Sequence, residues 1–304
     1  MARRLKGRQV SGIILLDKAG GESSNASLQK VKRLLDAAKA GHTGSLDPLA
    51  TGVLPLCFGE ATKISQFLLD SDKIYRTRIR LGVKTDSGDA EGQVLETREP
   101  VRVSREEIQK ALQHFVGPIT QVPPMYSALK HQGVPLYKLA RAGKTVVREE
   151  RRVNVYSIKL LEFIGPEVEL EIACSKGTYI RTIADDLGDV LGTGGHVIAL
   201  RRIKAGPFSQ DLALRYEELQ ARFEAGGMAA LDAVLIPGED AIQELPEVRL
   251  PAVTSAFVRQ GQAVMVRHLP TSGLVRLYDQ DGFFGIGTIL DDGRLAPRRL
   301  FNSQ

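Results

Sequence analysis

The sequence predicts an α+β fold: a larger mixed region followed by a smaller β-rich one. Three observations carry that expectation. Strand-like and helix-like segments follow one another in irregular order, not as a regular βαβ repeat. Two segments alternate cleanly, each with one apolar face. After Pro237-Gly238 and Pro246 the pattern shifts to short strand-like pieces separated by turns.

The apolar run Ile13-Ile14-Leu15-Leu16, ending in Asp17-Lys18, reads as a buried strand. Ala19-Gly20-Gly21 and Ser23-Ser24-Asn25 then form a turn with a helix N-cap, and Leu28, Val31, Leu34 and Leu35 follow at helical spacing. Residues 41–52 read as a loop rich in Gly, Pro and small side chains. In Tyr75–Leu81 one face carries Tyr75, Thr77, Ile79 and Leu81. The other carries Arg76, Arg78 and Arg80, turned to solvent or to phosphate. Ser104 and Glu107 form a capping box for a helix through Ile108, Leu112 and Phe115. Val168, Leu170 and Ile172 mark a half-buried strand, Tyr179, Ile183, Leu187 and Val190 a helix, and 196–203 a further strand.

Residues 121–152 change character, with Pro123-Pro124, Gly133, Pro135, Gly143 and many cations. They read as an insertion or mobile lobe, not core. Near the C-terminus, Leu274–Tyr278 and Phe283–Ile289 are strand-like, with turns at Asp281-Gly282 and Asp291-Asp292-Gly293. The expected division is a basic arm over 1–9, a catalytic domain over 10–245 and a small domain over 246–304.

At 304 residues the chain can bury a core without disulfides or metals. Hydrophobic residues make up 43% and charged residues 25%, ordinary for a globular protein. The net charge of +5 suits a polyanionic partner without demanding one. Cys57 and Cys174 sit in apolar contexts and read as buried, reduced thiols, which suits the cytoplasm. No apolar run follows the basic start, so neither a signal peptide nor a membrane span is expected.

The chemistry concentrates in His42-Thr43-Gly44-Ser45-Leu46-Asp47-Pro48-Leu49-Ala50-Thr51-Gly52. Proline biases Asp47 away from the α region, and the flanking glycines allow close approach to a ligand. An acid so placed can be a nucleophile, a general base, a metal ligand or a turn-former. Taken alone, the plainer reading is an Asp-Pro turn.

The segment has company. Lys18 follows the first strand, and Lys73-Ile74-Tyr75-Arg76-Thr77, Val83–Gly92, Val122–Lys130, Lys176-Gly177-Thr178-Tyr179-Ile180-Arg181 and Gly195–Arg202 follow in turn. Together, over about residues 10–210, they resemble the TruB family of tRNA pseudouridine synthases. The C-terminal region resembles a small RNA-binding PUA-like barrel more loosely.

That resemblance implies a pseudouridine synthase fold, with a mixed, mostly antiparallel central sheet flanked by helices and a PUA-like domain behind it. It implies isomerisation of uridine 55 in the T loop of tRNA after base flipping, with no metal, nucleotide or redox cofactor. A stand-alone, monomeric, cytoplasmic enzyme that binds the tRNA T arm is the type implied. By match of position, Asp47 is the essential carboxylate, Arg181 its partner and Tyr75 the active-site tyrosine. Tyr179 and Leu200 line the uridine pocket, and His42 takes the place of extruded bases. Lys18 supports the turn and the active-site floor and counts among the substrate-binding positions. One departure is plain: Ala19 stands where the family usually has proline after the lysine.

Base extrusion costs a few kcal/mol, to be recovered from stacking and phosphate contacts. Arg141, Lys144, Arg148, Arg151 and Arg152 are candidates to close on the tRNA, so binding should weaken steeply with salt. Three other readings compete. A guide-dependent relative acting on ribosomal RNA would tend to carry a lysine-rich tail, which 300–304 lacks. An RNA-binding or RNA-folding protein would not need Asp47, Tyr75 and Arg181 together. An aspartate-dependent hydrolase or metal enzyme would want a second carboxylate or His cluster at ligand spacing near Asp47.

Overall fold

The computed structural model describes residues 7–301. Residues 1–6, most of the expected basic arm, and 302–304 at the C-terminal end lie outside the described residues.

The first apolar run is strand β1 (Gly12–Lys18), and extended Ser23 accepts from the Ala26 amide to cap helix α1 (Ser24–Leu34). Strands β2 (Ala40–His42) and β3 (Thr51–Phe58) follow. The expected loop over 41–52 is therefore shorter, 43–50. Its ends are strands because Gly41 and His42 pair with Cys57 and Leu56, while Gly52 already pairs with Lys18. Next come α2 (Ser65–Asp70), β4 (Lys73–Leu81), the hairpin β5 (Val83–Thr85) and β6 (Val94–Thr97), α3 (Arg105–Leu112) and β7 (Gly117–Gln121). A small hairpin, β8 (Lys130–His131) and β9 (Val134–Pro135), leads to α4 (Leu136–Arg141), β10 (Arg151–Ile164), β11 (Glu167–Cys174), α5 (Ile180–Val190) and β12 (Gly195–Ala205). Strand β13 (Phe208–Ser209) and helix α6 (Tyr216–Asp232) complete this part.

Nine of these strands form one sheet, in the order β1-β3-β12-β4-β11-β10-β7, with β2 beside β3 and β13 beside β12. Every pairing is antiparallel except β3 with β12, which meet over only Thr51–Arg201 and Gly52–Arg202. That short parallel seam lies where the 43–50 loop re-enters the sheet. One apolar cluster joins the sheet to the helices through Leu28, Val31, Ile108, Ile183, Leu187 and Leu219. Burial of such side chains, at about 1.5–3 kcal/mol each, is the main force holding the layers together.

On β4 the alternation holds. Ile79 and Leu81 are fully buried, while Arg76, Arg78 and Arg80 face out. Those cations meet carboxylates of this chain: Arg78 lies 3.4 Å from Glu169 and Arg80 3.0 Å from Glu99. Exposed pairs of this kind contribute about 0–1 kcal/mol each.

The C-terminal part is a four-stranded sheet, β14 (Glu247–Arg249), β15 (Gly273–Asp279), β16 (Gly282–Ile289) and β17 (Leu295–Leu300), with helix α7 (Ala252–Arg259) inserted after its first strand. It has its own core of Val258, Val275, Leu277 and Leu295. Ile286, with Phe283 against it, also joins Ile64 and Leu68 of the larger part in a shared cluster. No helix among the described residues is long and apolar enough to cross a membrane.

Candidate active site

The loop that carries Asp47 is fastened from several sides. Buried Ser24, in the first turn of α1, both donates to the Leu46 carbonyl at 3.0 Å and accepts from the Leu46 amide at 2.7 Å. Lys18, 1% exposed, donates to the carbonyls of Ala50 at 2.7 Å, Ala19 at 2.8 Å and Pro48 at 3.3 Å. Burial pulls its ammonium below the ordinary lysine range. Lys18 thus lies under the loop, with its charge spent on backbone carbonyls. At the far end Gly52 has φ +99°, and a Cβ there would meet the Arg202 carbonyl oxygen at 2.2 Å. Only glycine lets β3 and β12 approach so closely.

Asp47 leaves this loop with its side chain 37% exposed and its Oδ2 3.0 Å from Nε of Arg181. Arg181 comes from the first turn of α5 and is 4% exposed. Its other nitrogens are occupied too. Nη1 donates to the Ser87 carbonyl at 2.9 Å and lies 3.5 Å from Oδ2 of Asp89, and Nη2 donates to the Tyr126 carbonyl at 2.6 Å. Asp89 is itself buried and held by the Ser87 hydroxyl at 2.6 Å and the Glu91 amide at 3.1 Å. The guanidinium therefore lies between two carboxylates with a fixed orientation.

Withdrawal from water raises the Asp47 pKa above its ordinary value; the Arg181 charge works against that rise and the Asp89 charge adds to it. Burial likewise raises Tyr75, with the charge of the Arg202 guanidinium countering.

Asp47 and Arg181 line a cavity of about 370 Å³ together with Tyr75, Tyr179, Leu200 and Arg202. That volume is within the range small ligands fill. Tyr179 is placed through its backbone. The buried Gln121 side chain accepts from the Tyr179 amide at 2.9 Å and donates to its carbonyl at 3.2 Å. Leu200 sits on β12 opposite Thr77, just past an irregularity in the pairing with β4.

On its other side the Asp47–Arg181 pair borders a second cavity of about 610 Å³, lined by His42, Asp89, Tyr126, Tyr137 and Arg141. Burial lowers the His42 pKa, and its Nδ1 is buried without a hydrogen-bond partner. The structure thus gathers Asp47, Tyr75, Tyr179, Arg181 and Leu200 around one cavity and sets His42 on an adjoining one, while Lys18 lines neither and instead holds carbonyls of the loop that carries Asp47.

Of the five cations assigned to the 121–152 lobe, Arg141 faces the second cavity, and Arg148 donates to the Pro123 carbonyl at 3.1 Å. Arg151 and Arg152 are corrected. They open β10 and pair with Gln121 and Thr120 of β7, so they belong to the sheet.

Sequence reasoning missed Asp89, Arg202, Ser24 and Gln121. Asp89 and Arg202 stood inside segments already singled out, but nothing in a sequence marks which charges will be buried. Among the described residues no group of three or more His, Cys, Asp or Glu side chains is placed to hold a metal ion.

Comparison with known proteins places this geometry. The family described as TruB family pseudouridylate synthase (N terminal domain) matches residues 32–180. The tRNA pseudouridylate synthase B C-terminal domain matches 181–243, and Pseudouridine synthase II TruB, C-terminal, matches 246–301. The chain is 54% identical over 306 residues to tRNA pseudouridine synthase B of Tolumonas auensis, covering 98% of this chain and 94% of the relative. It is 55% identical to the protein of the same name from Stutzerimonas stutzeri, covering 98% and 97%. Among solved structures, a chain of a Cbf5-Nop10-Gar1 complex superposes with a TM-score of 0.75 at 26% identity, covering 96% of this chain and 85% of that one. A chain of an H/ACA RNP bound to a substrate RNA containing 2′-deoxyuridine has the same fold, with a TM-score of 0.74 at 23% identity over 100% of this chain and 92% of that one. With family matches running almost from end to end and more than half of its residues shared with these relatives, this chain belongs to the TruB family of pseudouridine synthases.

Proposed function

We propose that this chain is the tRNA pseudouridine synthase that isomerises uridine 55 of the T loop, with Asp47, Tyr75 and Arg181 as its catalytic residues. The observation that carries the reading is the Asp47 carboxylate, held 3.0 Å from Arg181 on the wall of a base-sized cavity that Tyr75, Tyr179 and Leu200 also line. Family membership and the names of its relatives support the reaction and the tRNA substrate.

The chemistry asks for what these residues offer. The C1′–N1 bond breaks, the uracil turns, C5 bonds to C1′, and the C5 proton is lost while N1 gains one. Nothing is added or removed overall, so no redox cofactor is called for. A carboxylate beside the nucleoside attacks the sugar, attacks the base, or takes a proton as the uracil departs. Asp47 must be ionised for each of these roles. Burial opposes ionisation and Arg181 favours it. Tyr75 offers a ring to stack on the flipped base and a phenol to relay the C5 proton.

The division of labour follows the fold. Residues 10–245 form the catalytic part, 246–304 an RNA-binding PUA-like part, and the lobe between β7 and β10, over 122–150, closes on the T arm with Arg141, Lys144 and Arg148. His42 meets bases displaced from the T loop, in the second cavity. The enzyme acts as a monomer, without a guide RNA, in the cytoplasm. Identity of 54–55% over nearly the whole length of the bacterial tRNA enzymes, against 26% to the chain from the Cbf5 complex, favours stand-alone action on tRNA over guide-dependent action.

The test is a product map. Unmodified tRNA transcript is incubated with the enzyme, treated with carbodiimide and read by primer extension. One new stop, at the T-loop position, is expected. A stop elsewhere, or none, contradicts the reading.

A further inference from the structure

Gln121 is 2% exposed, and its side chain spends both ends of its amide on the backbone of one distant residue. Oε1 accepts from the Tyr179 amide at 2.9 Å, and Nε2 donates to the Tyr179 carbonyl at 3.2 Å. A side-chain amide presents a donor and an acceptor side by side, as the backbone of an adjoining strand does. Tyr179 is extended, at φ −99° and ψ 109°, so its N–H and C=O can meet such a group together. Gln121 thus acts on Tyr179 as a one-residue strand.

The two residues join parts of the fold that are otherwise far apart in the chain. Gln121 ends β7, the strand at the edge of the large sheet, and is held there by pairing with Arg151 of β10. Tyr179 is the N-cap of α5 and makes no side-chain capping bond to it. Just before it lies a turn in which the Thr178 hydroxyl donates to the Ser175 carbonyl at 3.0 Å. The clamp therefore fastens the junction between that turn and α5 to a strand of the sheet. The Tyr179 ring lines the cavity that Asp47 also lines. Fixing φ and ψ sets the direction of the Cα–Cβ bond and leaves the ring's own torsions free. The ring is aimed at the cavity and can still turn to meet a base.

We propose that Gln121 is a positioning residue for the reaction: by clamping the Tyr179 backbone it keeps the Tyr179 ring in place on the wall of the uridine cavity. The inference rests on the pseudouridine synthase reading for its functional meaning, but the hold of Gln121 on the ring can be measured without it.

The experiment has two arms. The first is a double-mutant cycle read by single-turnover tritium release from tRNA labelled at uridine C5, with tRNA affinity measured alongside. Gln121→Met fills the same space without the two hydrogen bonds. It should lower the rate constant about 10- to 100-fold and change affinity less than about threefold. In a Tyr179→Leu background, where there is no ring to place, it should cost less than about threefold. An equal cost in both backgrounds overturns the proposal, because the amide would then act through Arg181 or the fold at large. So does a loss that falls on affinity. The second arm needs no turnover. The protein is labelled with meta-fluorotyrosine, and the Tyr179 fluorine resonance is assigned by its loss in Tyr179→Phe. It should be a single line in wild type and should broaden or split in Gln121→Met as the ring leaves its one position. Gln121→Asn keeps a polar group in the site but is one methylene too short to span both Tyr179 groups. It should give the same result, and it serves if the methionine variant does not fold. A Tyr179 line that stays single and equally sharp overturns the proposal. An inactive wild type alongside a broadened line would fail the pseudouridine synthase reading and leave the clamp standing.

Discussion

Arg181 holds Asp47 through Nε at 3.0 Å while its Nη1 lies 3.5 Å from the buried carboxylate of Asp89. One cation therefore serves two anions, and the second is anchored by its own hydrogen bonds from Ser87 and Glu91. The arrangement fixes where the Asp47 carboxylate points and offsets part of the cost of burying it.

Arg181→Met removes that offset without touching the outer RNA-binding surface. The single-turnover rate should fall about 10²- to 10⁴-fold, while tRNA affinity changes less than about threefold. Filter binding beside rapid-quench kinetics separates the two. A collapse of affinity would make Arg181 a binding residue.

Asp47 should cost the fold stability when ionised. Its pKa is raised in the folded chain, chiefly by burial, so the folded state prefers the protonated form. The sign follows from linkage: a raised pKa contributes stability at low pH and loses it as pH rises through the folded value. Asp47→Asn should therefore gain on wild type as pH climbs from below the ordinary value of 3.8 to neutrality. The attraction of Arg181 for the ionised carboxylate is already contained in that net shift, so the only offset independent of pH is the exchange of the neutral carboxyl for an amide. Denaturant melts of both proteins at a series of pH values check the slope. A difference that is flat with pH, or that shrinks toward neutrality, would contradict it.

Gly52 and Gly21 form a matched pair for backbone strain. Both have positive φ, +99° and +83°, but a Cβ on Gly52 meets the Arg202 carbonyl oxygen at 2.2 Å, while one on Gly21 meets nothing within 4 Å. Gly21→Ala should cost about 1–2 kcal/mol from conformation alone. Gly52→Ala should cost more than about 3 kcal/mol, because the β3–β12 seam must part. Equilibrium unfolding of the two variants gives the comparison. Equal costs would mean that the seam yields freely.

Much of this architecture is legible in the chain because it follows short-range rules. β1, β4 and β11 announce themselves by apolar runs or strict alternation, and Ser104 with Glu107 by the capping box the structure contains. β3 hides behind Gly52, which closes the expected loop, and Pro55, which cannot donate to a ladder, yet both lie in a strand paired along β1. Helix α7, inside a region otherwise read as β, owes its place to packing of Val258 into the C-terminal core. The site divides the same way. Asp47, Tyr75 and Arg181 were named through resemblance, since 134 positions separate the first from the last and no local pattern joins them. Asp89 and Arg202 went unnamed because their importance comes from being buried, which tertiary structure alone decides.

The carboxylate itself remains the point on which everything else turns. Unmodified tRNA transcript tritiated at uridine C5 releases tritium only if C5 loses its hydrogen. Wild type should release one equivalent per tRNA, and Asp47→Ala should release none above background while still binding the tRNA. Undiminished release by Asp47→Ala would remove the aspartate from the chemistry, and no release by wild type would remove the chemistry from the protein.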